Sequence, residues 1–69
     1  MKTYIQKCKE GIIKVDEDSF DDFVDYWHTS DETRNISLHD AIGISFEEYG
    51  KHILNVESML KMLEDKVNG

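Results

Sequence analysis

The sequence predicts an all-α fold, a small bundle of four to five short helices containing a helix-turn-helix-like pair, and three observations carry that expectation. Apolar residues recur at helical spacing in two segments, residues 20–27 and 56–67. Helix-start signatures, a serine followed three residues later by an acid, occur at Ser37 and Ser45. One short run, Ile12-Ile13-Lys14-Val15, has strand propensity, and no second run exists to pair with it. With 69 residues the chain has room for one domain, over residues 1–69. Surface scaling gives that domain about 4,500 Å² of folded surface, roughly 40% of what the open chain exposes. A single core is marginal at that size, so the large apolar residues are expected to be structural.

In chain order, Tyr4, Ile5, Cys8 and Ile12 form a weak helical stripe that Gly11 is placed to end, and residues 12–15 read as an extended connector. The next helix has the clearest pattern. Phe20, Phe23, Val24 and Trp27 lie on one face, while Asp18, Asp21, Asp22 and Asp25 repeat on the other. It is expected from about residue 19 to residue 28 or 29, with Asp18 or Ser19 as its cap and carboxylates at the positive end of its dipole. Residues 30–36 are polar and aperiodic, the composition of a surface loop. Ser37 with Asp40 then suggests a capping box, with Ile36 stapling onto Ala41 and Gly43 ending a short helix. Ser45 with Glu48 is a full capping box, and Ile44 can staple onto Tyr49 in a helix running to about Leu54. Asn55 can cap the last helix, whose Val56, Met59, Leu60, Leu63 and Val67 make an apolar stripe.

Charge narrows the function classes. Fifteen acids against eight bases leave a formal charge of −7, and it is unevenly placed. Residues 1–9 carry +3, residues 10–32 carry −8 and the remainder −2. Nucleic acid and anionic membrane both require a basic face, so neither is the expected partner. The single Cys8 cannot close an internal disulfide, and no Cys pair of metal-binding type is present. The first ten residues have no apolar stretch of signal-peptide length, and no run approaches a membrane span, which points to a cytoplasmic protein.

Motifs for chemistry are few. Residues 37–54 have the form of a helix-turn-helix, yet the second helix would present Glu47, Glu48 and Lys51, and two carboxylates facing phosphates oppose binding. An EF-hand begun at Asp16 fails at its fifth, sixth and twelfth positions, which hold Phe20, Asp21 and Trp27. His28, His39 and His52 stand apart in no ligand-pair spacing, and the four scattered glycines form no phosphate loop. Cys8 between Lys7 and Lys9 has no base nearby in sequence and reads as a buried structural thiol. No catalytic residue, metal or cofactor is expected. Most aromatics are expected in the core, with Tyr26 set between the apolar and acidic faces as the interface candidate. The stripe at residues 56–67 can complete the core or pair with a second copy in a homodimer.

Two segments, Asp21-Asp22-Phe23-Val24-Asp25-Tyr26-Trp27-His28 and Ser37-Leu38-His39-Asp40-Ala41-Ile42-Gly43-Ile44-Ser45-Phe46-Glu47-Glu48-Tyr49, carry a resemblance. They resemble a loose group of short, uncharacterised bacterial helical proteins with an acidic helix ending Trp-His and a Leu-His-(Asp/Glu)-x-Leu-Gly-x-(Ser/Thr)-x-x-Glu-Tyr element. The similarity covers about residues 16–54. Where that group has tryptophan three residues after Glu-Tyr, this chain has His52, so that face is expected to pack differently. The resemblance implies a small cytoplasmic protein of accessory gene content, regulatory or antitoxin-like. Residues and resemblance together suggest a non-enzymatic interaction module that binds a basic protein through Asp18, Asp21, Asp22, Asp25 and Tyr26. A helix-turn-helix regulator and an acidic nucleic-acid mimic that inhibits a basic protein are the alternatives.

Overall fold

Every helix of the computed structural model, which describes residues 2–69, begins at a residue with a side chain able to replace the missing backbone partners of a first turn. Helix α1 spans Tyr4–Lys9, α2 Glu17–Thr29, α3 Leu38–Ile42, α4 Phe46–His52 and α5 Val56–Asn68. No strand occurs among the described residues, so the expected all-α bundle is what forms. Thr3 and Gln6 make a reciprocal capping box before α1, and Asn55 accepts the Ser58 N–H before α5. Ser45 and Glu48 form the expected box before α4.

Two expected caps differ. Helix α2 starts earlier, because Asp16 and not Asp18 or Ser19 adopts the extended cap conformation and its Oδ1 accepts the Ser19 N–H at 2.7 Å. Ser19 lies one turn inside as the reciprocal partner. Ser37 makes no side-chain cap; its hydroxyl donates instead to Asp40 Oδ2 at 3.0 Å. Aspartate is shorter than the usual glutamate of a capping box and meets the serine hydroxyl rather than its backbone N–H.

Both left-handed glycines terminate helices. At Gly11 (φ +77°) the chain leaves α1 with Gly11 N–H on Cys8 O and Ile12 N–H on Lys7 O, a Schellman pattern. That reversal turns Ile12 out to solvent, so it leaves the stripe expected of it, while Tyr4, Ile5 and Cys8 stay buried. Gly43 (φ +100°) ends α3 and sits so close to Thr3 that a Cβ would lie 3.0 Å from its hydroxyl. Glycine is required there twice over, by conformation and by contact.

The core joins Tyr4, Ile5 and Cys8 of α1, Phe20 and Phe23 of α2, Ala41, Ile42 and Ile44 around α3, and Met59 and Leu63 of α5. Tyr4 meets Phe20 and Phe23 edge-on at 5.6 and 5.4 Å. Helix α5 lies against α1 and α4, which brings the two ends of the chain together. Residues 30–36 are not a plain surface loop. They hold a 3-10 turn at Asp31–Thr33, with Thr33 buried and its hydroxyl donating to Trp27 O at 2.6 Å. Trp27 Nε1 in turn donates to Ile36 O at 2.7 Å, so a polar segment is fastened to the end of α2. One aromatic departs from the core: Phe46 is 71% exposed.

Candidate functional site

Asp18, Asp21, Asp22 and Asp25 are all exposed on α2, and among the described residues none has an ion-pair partner. Four of the eight Lys and Arg residues pair with other acids: Lys2 with Glu10, Arg34 with Asp31, Lys51 with Glu47 and Lys66 with Glu48. Lys7 is the cation nearest the aromatic side of this face. It lies over the rings of Phe23 and Tyr26, 5.6 and 5.1 Å from their centroids, rather than on a carboxylate. Four carboxylates of one helix therefore face water without a counter-charge.

Beside them runs a groove of about 280 Å³ between the exit of α1 and the flank of α2, lined chiefly by Lys7, Ile12, Ile13, Asp22, Phe23 and Tyr26. Its wall is mostly apolar, and Ile12 is 57% exposed at its edge. Tyr26, expected at an interface, is half-buried, and its hydroxyl donates to Glu32 Oε2 at 2.9 Å, which orients the ring. Asp22 belongs both to the acidic face and to the groove, so one surface combines an apolar recess with a carboxylate rim. Such a recess suits an aliphatic or aromatic side chain flanked by cations. Lys7, Ile12 and Glu32 were not evident from helical periodicity, because Ile12 depends on the Gly11 reversal and Glu32 on the 3-10 turn.

Other polar clusters serve the fold. Tyr4 Oη is 2.8 Å from Ser19 Oγ, and burial pushes the phenol pKa up to about 12. Burial likewise raises the Cys8 thiol, with a hydrogen bond to Tyr4 acting the other way and the nearby Asp16 charge adding to the rise. His52 Nδ1 is 2.5 Å from Ser58 Oγ, tying the end of α4 to the first turn of α5. No hydrogen-bonded carboxylate orients the other ring nitrogen among the described residues, so the pair lacks the third member of a nucleophilic triad. No group of three or more His, Cys, Asp or Glu among these residues is arranged to hold a metal ion, and no helix is long and apolar enough to cross a membrane. The α3–α4 pair has helix-turn-helix order, yet the exposed residues of α4 are Phe46, Glu47, Gly50 and Lys51, with one cation among them. The chain matches no family model, no curated protein sequence and no solved structure.

Proposed function

We propose that this chain is a small, non-enzymatic cytoplasmic module, regulatory or antitoxin-like, that binds a basic protein through Asp18, Asp21, Asp22 and Asp25 together with Tyr26 and the adjoining groove. The observation that carries this reading is the coincidence of uncompensated carboxylates with an open apolar recess. The two features have different roles. Exposed charges contribute little affinity singly, but a one-sign face steers encounter and raises the association rate in a salt-dependent way. An apolar anchor in the recess slows dissociation. The partner segment is accordingly rich in Lys or Arg and carries one apolar side chain for the space beside Phe23 and Tyr26.

Replacing Asp21, Asp22 and Asp25 together by lysine is expected to abolish capture of the partner from source cytoplasm at moderate salt while helicity is retained. Unchanged capture by the triple variant contradicts the proposal. The helix-turn-helix reading draws on the order of α3 and α4. It requires a gel shift at low salt, which the acidic flank of α4 disfavours.

A further inference from the structure

Phe46 and Gly50 fall at i and i+4 on the exposed side of α4, and Ile53 and Leu54 follow in the turn at its C-terminal end, extending the outward apolar stripe past the helix. Phe46 is 71% exposed, Ile53 39% and Leu54 98%. A chain with so little apolar material would bury these residues if its own fold allowed it. Gly50 adds an independent observation. It lies inside a seven-residue helix, where glycine is a poor former, and a Cβ there would meet nothing within 4 Å. No contact within the chain requires glycine at this position, whereas the close approach of another backbone would.

We infer that two copies of this chain pair through this face, with their α4 helices antiparallel about a twofold axis near Gly50. Charge identifies the occupant as a second copy. Glu47 and Lys51 flank the stripe on one side, 3.7 Å apart. A twofold sets that same flank of both helices side by side in opposite directions, so Glu47 meets the partner's Lys51 and Phe46 meets the partner's Leu54. The flank is neutral and self-complementary on a protein of charge −7, whereas two acidic α2 faces would repel. The stripe of α5 does not offer this surface, because Met59 and Leu63 are buried in the core. The exposed apolar area is on the order of 400 Å² per copy, about half the ~800 Å² that each partner contributes to a standard interface. The dimer is therefore weak and concentration-dependent.

Sedimentation of the full chain from micromolar to millimolar concentration tests this. A monomer–dimer equilibrium is expected, with Phe46→Ser or Leu54→Ser weakening it roughly tenfold or more. Leu54→Ser leaves the melting temperature unchanged, while Phe46→Ser also loses an edge-on contact with His39 within the chain, 5.5 Å between ring centroids. Gly50→Ala is expected to raise the melting temperature and weaken the dimer, two opposite effects that a purely structural glycine would not produce. Glu47→Lys should weaken association, and adding Lys51→Glu should restore it. A monomer at millimolar concentration would assign the face to a different protein and overturn the inference. A dimer indifferent to Phe46→Ser and Leu54→Ser, or unrestored by the charge swap, would overturn it equally.

Discussion

Helices α2 and α4 each turn one face toward the core, yet they expose opposite chemistry. Helix α2 buries Phe20 and Phe23 and presents carboxylates to water, the usual division of an amphipathic helix. Helix α4 has no fully buried residue and presents Phe46. What remains unbalanced on α2 is charge; on α4 it is apolar surface. Two outward faces of one small domain can thus suit two kinds of contact. A one-sign charge face selects an oppositely charged partner and is strongly sensitive to salt, whereas an apolar stripe with a neutral flank is relieved by a copy of itself and depends on salt only through its Glu47–Lys51 contacts.

The sharpest contrast lies between leucines. Leu63→Ala is expected to destabilise the domain by about 3 kcal/mol, because Leu63 is fully enclosed and its loss leaves a cavity. Leu54→Ala should change monomer stability by less than about 0.5 kcal/mol. Urea unfolding of both variants checks this, and similar losses would mean that Leu54 is not the outward residue described here. Next in size is Thr33→Val, expected to cost about 1–2 kcal/mol by removing the donor to Trp27 O and leaving that carbonyl short of a partner. Thermal unfolding monitored by Trp27 fluorescence reads it directly.

Within α2, Asp16→Ala should cost about 1 kcal/mol through loss of the cap, while Asp21→Ala and Asp25→Ala should lie within about 0.5 kcal/mol of wild type. The same residue type thus separates into a structural member and members available for binding. The smallest effect concerns pH. A hydrogen bond from Lys66, 2.6 Å away, holds the Glu48 carboxyl below its ordinary value of 4.5. The folded state therefore takes up this proton less readily than the unfolded chain, and the resulting stability is present at neutral pH and lost as pH falls below that ordinary value. Lys66→Met should flatten this part of the pH–stability curve, as measured by urea midpoints across the acid range.

The legibility of the fold followed periodicity. Helices α2 and α5 are long enough for their stripes to mark buried Phe20, Phe23, Met59 and Leu63 in the sequence itself. The Ser45–Glu48 box and Gly43 were equally plain, since each depends on residues within one turn. What periodicity could not show depends on contacts distant in sequence. Thr33 looked like loop polarity until the 3-10 turn carried it under Trp27. Phe46 has the composition of a core residue, and only the packing of α4 beside α3 and α5 leaves it outside. Of the candidate site, the acidic face was legible from spacing. The groove was not, because it forms where Ile12 emerges from the Gly11 reversal beside Phe23 and Tyr26.

The proposed binding role requires the acidic face and the groove to act as one surface. Titration of the isotopically labelled protein with a Lys-rich peptide bearing a single leucine, followed by amide chemical shifts, tests that most directly. The expected result is a set of shifts centred on Ile12, Asp22, Phe23 and Tyr26, reduced by salt and by exchanging the peptide's leucine for serine. Shifts spread evenly over every exposed acid, including Glu57, Glu64 and Asp65 of α5, and indifferent to that leucine would contradict it.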